Sequence, residues 1–421
     1  MEPHPVQLSV GGDFERTRAA VFFRLILVIP LAVWLVLWTI AMLFVAVVNW
    51  FVTLFTGTPA AGLMAFTCSY IRFAAHVESY FWLLADPYPR FEGRAGDYVV
   101  DIELPTAPTA QSRWVTFFRI FLALPALILT GVLGTGSSSN STRGQTRYRA
   151  PGLLLTVGVL GWFASLFTGR MPKGLRDAGV YSVGYSAQTL AYLLFVTDRF
   201  PSADPTAMLA GVDPPPVHPV RIADQDDLRR SRLTVFFRLL LAIPHFVWLI
   251  LWGIAFVFSV LANWFVTLFR GTPAGSLHRF NARYLRYAIH VYAFFLLVAN
   301  PFPGFTGVSG SYPVDLVLPE PTRQNRWKTG FRLVLFIPAG IVAGALGWGL
   351  YVTAVFTWFY SLVRGQAPDG MHKLALYALR YLAQADAYVY LLTDAYPNAS
   401  PLEGAEPPPE PEPTAEPQYA W

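Results

Sequence analysis

The stretch "NWFVTLFTGTP" at 49–59 returns as "NWFVTLFRGTP" at 263–273, an offset of 214. Each is the end of an apolar run closed by a Gly-Thr-Pro breaker, which stops a helix and turns the chain. Working outward, the surroundings return as well. Arg24 and Arg238 stand 214 apart, and so do Asp101 and Asp315. Weaker forms of the same stretch appear between and after: "LFTGRMP" at 166–172 and "LVRGQAP" at 362–368. Each of the four copies opens on an arginine behind a phenylalanine (Arg24, Arg119, Arg238, Arg332) and has a proline six residues later (Pro30, Pro125, Pro244, Pro338). Each closes on a related turn: "ADPYP" at 85–89, "TDRFP" at 197–201, "ANPFP" at 299–303 and "TDAYP" at 393–397. A repeat of this kind fixes the organisation of a chain before any fold class is assigned.

The chain is therefore four units in two similar halves: 1–97, 98–211, 212–311 and 312–397, with a tail at 398–421. Arg119 and Arg332 are 213 apart but Asp198 and Asp394 only 196, so the second unit carries 17 extra residues. They match the polar stretch "TGSSSNSTRGQTRYRAP" at 135–151. The tail is rich in Pro and Glu, a composition that predicts disorder.

Each unit begins with an alternating, β-branched segment: 6–10, 98–105, 218–222 and 312–319. A first apolar helix follows, about 24–54 in unit 1, and a second at about 62–85. The proline near the start of the first helix predicts a kink or the end of a short interfacial helix. Two helices per unit give a mainly α, polytopic membrane protein of about eight spans. The chain then returns to the same side after each unit. All four strands and both termini share one face, where the strands pair as one membrane-surface sheet. The insert at 135–151 leaves open whether the first helix is one span or two segments.

Composition supports the membrane expectation. Hydrophobic residues make up 54% of the 421 and charged residues only 14%, against roughly 25% in soluble domains. No charge interrupts Leu31–Val48 or Phe246–Leu261. The first 20 residues, with Asp13, Glu15, Arg16 and Arg18, have no apolar signal core, so the first span is expected to act as its own insertion signal. The net charge of +5 carries no basic run of the kind that binds nucleic acid. The lone Cys68 excludes an intramolecular disulfide framework and a cysteine metal cluster. Arginines favour the strand side, which the positive-inside rule places in the cytoplasm with both termini.

Two columns of polar residues stand out. Ten residues before each closing Asp or Asn come His76, Gln188, His290 and Gln384, near the bilayer midplane if the second helices span it. Four residues earlier stand Arg72, Gly184, Arg286 and Arg380; two residues later, Glu78, Leu190, Tyr292 and Asp386. Polar groups at that depth are either helix–helix fasteners or a path for ions, protons or a polar substrate. The second column pairs Arg24 with Asp86, Arg119 with Asp198 and Arg332 with Asp394 as interface ion pairs; unit 3 has Asn300 opposite Arg238. The chain has no nucleophile–base set, phosphate loop or cofactor fingerprint, and no ligand at metal spacing beside His76 or His290.

The order of "YPVDLVLP" at 312–319, "FFRLLLAIPH" at 236–245, "LFTGRMP" and "LLTDAYP" at 391–397 resembles a bacterial family of membrane domains of unknown function, family 4389. The resemblance covers nearly all of 6–397 and implies a bacterial cytoplasmic membrane; it supplies no activity. The expectation is a non-enzymatic scaffold or accessory subunit. It needs no cofactor, sits in membrane lipid and offers its linker, strands or tail to a protein partner. The alternative is a transporter or channel with its site between repeats.

Overall fold

Glycine in the breaker motif ends every first helix in the same way. Gly57, Gly169, Gly271 and Gly365 adopt φ of 81°, 74°, 77° and 72° and cap the helix in the left-handed region. In the computed structural model, which describes residues 3–138 and 149–405, unit 1 comprises β1 (Gln7–Val10), α1 (Arg18–Leu27), α2 (Ile29–Thr56) and α3 (Ala61–Phe81). Unit 2 follows with β2 (Val100–Glu103), α4 (Arg113–Leu133), β3 (Gly136–Ser138), β4 (Arg149–Pro151), α5 (Leu153–Thr168) and α6 (Lys173–Leu193). The short α7 (Pro205–Met208) leads to unit 3: β5 (Arg221–Asp224), α8 (Arg232–Phe236), α9 (Arg238–Arg270) and α10 (Gly275–Phe295). Unit 4 is β6 (Val314–Val317), α11 (Arg326–Gly330), α12 (Arg332–Arg364) and α13 (Asp369–Val389).

The insert breaks the first helix of unit 2 into α4 and α5, and its flanks pair as the β3–β4 ribbon; residues 139–148 lie outside the described residues. In the other units the helix bends without stopping for long. The bend is at Val28 in unit 1, just before Pro30, but at Phe237 and Phe331 in units 3 and 4, directly before the arginine. Pro244 and Pro338 sit inside continuous helices, so the proline does not set the break there. Of the tail, 406–421 lie outside the described residues. The expectation of disorder fails for 398–405: Ala399 and Ser400 are buried, and the Ala405 amide donates to the Pro215 carbonyl.

The two units of each half run antiparallel. The Gln111 amide donates to Gly57 O at 2.8 Å and the Arg16 amide to Gly169 O at 2.8 Å. The second half repeats both contacts, Gln324 to Gly271 at 2.8 Å and Arg230 to Gly365 at 2.9 Å. Four indoles fasten the same seams: Trp50 to Thr116 O, Trp162 to Val21 O, Trp264 to Thr329 O and Trp358 to Val235 O. One unit's helix opening thus lies beside its neighbour's hairpin. This corrects the expectation that every unit starts from the same side; an apolar run shows where a helix lies but not which way its neighbour points.

The strands do not form one sheet. β1 pairs with β2 and β5 with β6, each antiparallel, with Ser9 opposite Asp101 and Ala223 opposite Asp315. Each ribbon joins the two units of its half and packs on their second helices. The molecule is layered as a result. The first helices α1–α2, α4–α5, α12 and α9 make one layer, α3, α6, α13 and α10 the next, and the two ribbons the third. The halves meet where α12 packs on α4 and α5 and where the rings of Tyr181 and Tyr377 touch at 6.5 Å. Units 2 and 4 are central; units 1 and 3 are outer.

The outer face of the first layer is apolar from end to end. Phe44, Phe121, Phe258 and Leu333 are each about 70% exposed (72%, 70%, 69% and 74%). Four helices are long and apolar enough to cross a membrane: Arg18–Thr56, Arg113–Leu133, Arg238–Arg270 and Arg332–Arg364. The count is four rather than the expected eight because the second helices spend their surface on polar contacts with the ribbons.

Candidate functional site

The second helices end in a strained turn. Leu83, Phe195, Leu297 and Leu391 adopt φ of 64°, 66°, 63° and 64°. Side chains with a Cβ avoid this region, and holding one there costs roughly 1–3 kcal/mol. The turn leaves the last carbonyls of each helix pointing inward without helical partners. The repeated arginines supply them. Arg24 Nη1 donates to the carbonyls of Tyr80 and Ala85, and Arg238, Arg332 and Arg119 do the same at Phe294/Ala299, Tyr388/Thr393 and Tyr192/Thr197. Each guanidinium also lies over the ring of Tyr80, Tyr192, Phe294 or Tyr388, 4.2–4.8 Å from its centroid.

The third partner of these arginines varies. Arg24 reaches Asp86 at 2.7 Å, Arg332 reaches Asp394 at 2.8 Å and Arg238 reaches the Asn300 Oδ1 at 3.2 Å. Arg119 forms no such pair. Its Nη2 donates to Gln111 Oε1 at 2.8 Å, and Asp198 stays exposed. Gln111 and its counterpart Gln324 were not singled out in the sequence, although each stands eight residues before its arginine. Each also donates from Nε2 to the strained residue, Phe195 O at 2.7 Å and Leu391 O at 2.8 Å. In the outer units Arg16 and Arg230 hold the matching Leu83 and Leu297 carbonyls.

The other column lies between the helix layer and the ribbons. His76 Nε2 bonds Asp101 at 2.8 Å and His290 Nε2 bonds Asp315 at 2.7 Å. Gln188 donates to Val6 O and accepts from the Ser202 amide; Gln384 donates to Val220 O and accepts from the Asn398 amide. The alternation of His and Gln follows the partner: a carboxylate on β2 and β6, and backbone, joined for Gln188 by the Met208 sulfur, where α6 and α13 meet the leading residues of the other strands. Among the described residues no hydrogen bond joins any two of the four. Burial alone would raise the Asp101 and Asp315 carboxyls. The histidines and the Gly96 and Gly310 amides more than offset it and hold both below the usual value.

The neighbouring arginines are similarly occupied. Arg72 donates to Ile102 O at 3.0 Å and Arg286 to Leu316 O at 2.9 Å. Arg380 binds the carbonyls of Ser400, Pro401 and Leu402 and lies 3.4 Å from Glu403. Glu78 and Asp386 differ. Neither has a hydrogen bond or ion pair among the described residues, and burial pushes both carboxyls up to about 7. Among the described residues no group of three or more His, Cys, Asp or Glu is placed to hold a metal.

Fold and site define a mainly helical repeat protein whose four long apolar helices suggest a membrane protein. The chain belongs to the family described as "Domain of unknown function (DUF4389)", which matches it four times in tandem, at 18–92, 150–203, 232–306 and 326–400. The second match begins at residue 150, at the last residues of the insert and just before α5 resumes the pattern. No curated protein and no solved structure matches the chain.

Proposed function

We propose that the protein is a non-enzymatic scaffold that lies flat in one leaflet of the bacterial cytoplasmic membrane, with its ribbons and both termini in the cytoplasm. One observation carries this: the apolar face is too long to stand upright. The bent helix Arg18–Thr56 has 39 residues and α9 and α12 have 33 each, so they run roughly 58 and 50 Å, against a hydrocarbon core of about 30 Å. Exposed apolar side chains extend along that length, from Phe22 to Phe55 and from Leu239 to Phe269. In an upright molecule the exposed Gln7, Ser9, Glu103, Arg221 and Asp224 of the ribbons would face lipid at mid-membrane. In a flat one they face water. Exposed arginines at the helix ends (Arg18, Arg113, Arg232, Arg326, Arg170, Arg270, Arg364) then ring the slab at headgroup level, beside the exposed Trp114 and Trp327.

The scaffold role is supported by the polar columns, whose side chains are engaged by backbone, turn and strand groups, the arginine Nε atoms apart. One observation favours a transporter instead: the partnerless carboxyls of Glu78 and Asp386. Proton flux through vesicles reconstituted with the full chain decides between them. A scaffold leaves flux at the level of empty vesicles. Flux that disappears in the variant Glu78→Gln with Asp386→Asn overturns the scaffold role.

A further inference from the structure

We propose that the outer edge of unit 3 is a binding site for one anionic phospholipid, an inference that rests on the membrane placement above. A groove of about 760 Å³ opens there between α9 and α10. Its floor is aromatic: Trp248, Trp252, Phe280 and Phe305. The floor is tied together: the Trp248 indole donates to Phe305 O at 3.1 Å and Trp252 packs on Phe280 with centroids 6.1 Å apart. Its rim on the α10 side carries Arg279 and Arg283, four residues apart and so side by side on the helix. Both are exposed, and neither has a salt bridge among the described residues.

The groove runs from the lipid-facing slab to the second layer. α9 is an outer helix, and Leu251, which lines the groove, and Ile254 carry its apolar face outward at 56% and 58% exposure. An acyl chain on the aromatic floor would therefore share the depth of the slab, with its phosphate rising to the two guanidiniums. Arginine suits that end because its planar fork meets phosphate oxygens two at a time.

The molecule contains its own control. Offset by 214, unit 1 repeats the floor as Trp34, Trp38, Phe66 and Phe91, with the same indole bond from Trp34 to Phe91 O at 3.0 Å. The arginines are absent: Ala65 and Ser69 replace Arg279 and Arg283, and Glu92 replaces Thr306. The cradle is kept without its two arginines, and its Glu92 is neutralised by Arg94, so the anion site is assigned to unit 3.

Native mass spectrometry of the full chain in neutral detergent, titrated with phosphatidylglycerol or phosphatidylcholine, tests the site. The wild type is expected to retain one phosphatidylglycerol. Arg279→Ala with Arg283→Ser, which restores the unit 1 residues and so keeps the fold, should weaken that retention on the order of tenfold and leave phosphatidylcholine unchanged. Ala65→Arg with Ser69→Arg should add a second bound phosphatidylglycerol. Equal retention by wild type and the unit 1-like variant overturns the site. So does displacement of the lipid by inorganic phosphate at equal concentration, which would make it a free-anion site. Partition into phosphatidylcholine vesicles is measured in parallel. Failure of the wild type to partition sinks the membrane placement, whereas partition without phosphatidylglycerol retention sinks only the groove.

Discussion

The outer and central units meet the same demand with different chemistry. All four must hold the carbonyl of a residue in the left-handed region and pin a second helix to a strand. Outer units 1 and 3 do so with charge: Arg16 and Arg230 on the strained carbonyl, His76–Asp101 and His290–Asp315 on the strand. Central units 2 and 4 use amides at both places: Gln111 and Gln324, then Gln188 and Gln384. Removing a charge from water costs far more than removing a neutral amide whose hydrogen bonds are made. The charged groups are nonetheless as buried as the amides, and each is held there by a carbonyl or an oppositely charged side chain.

Substitutions can break that comparison. The largest effect is expected for Arg332→Ala, which takes a donor from the Tyr388 and Thr393 carbonyls and leaves Asp394 only the more distant Lys328 and Asn325. Loss of one member of such a buried set costs about 3–5 kcal/mol, to be read from denaturant unfolding in detergent. Gln324→Ala removes two hydrogen bonds but no charge, and should cost about 1–3 kcal/mol. If it costs as much as Arg332→Ala, the amide is more than a neutral substitute.

Exchanging the solutions sharpens the comparison. His76→Gln leaves Asp101 with only amide donors, and should cost about 1–3 kcal/mol in the same unfolding assay. A neutral outcome would mean that the His and Gln alternation does not follow the partner.

The remaining effect concerns pH. Burial raises the Glu78 and Asp386 carboxyls to about 7, above the unfolded value near 4. The folded state therefore holds protons that the unfolded state has released. Stability from this source is complete below about pH 4 and is lost as pH rises through about 7. The melting temperature should fall between pH 5 and 8.5, and Glu78→Gln with Asp386→Asn should remove most of that fall. An identical fall in the double variant would refute the assignment.

Much of this architecture is legible in the sequence. The offset of 214 exposes the halves, the breaker glycines mark the helix ends, and the break in register locates the insert. The arginine column is visible because a charge at the start of an apolar run must find a partner. Gln111 and Gln324 are not, since an amide before a helix resembles any loop residue. The antiparallel packing is hidden for a different reason: hydrophobic periodicity identifies a buried face and carries no sign for direction. The expectation of eight spans has the same root, because Arg72 and His76 of α3 are bonded to a strand layer that hydropathy does not register.

The flat placement is tested most directly at the two ends of one helix. Thr17 and Thr58 are exposed residues flanking Arg18–Thr56. Single cysteines at each, in a Cys68→Ala background, can be labelled by a membrane-impermeant maleimide in right-side-out and inside-out vesicles. The account predicts that both label in the inside-out preparation only. Labelling of one end from each side would show that this helix crosses the membrane, and would contradict the account.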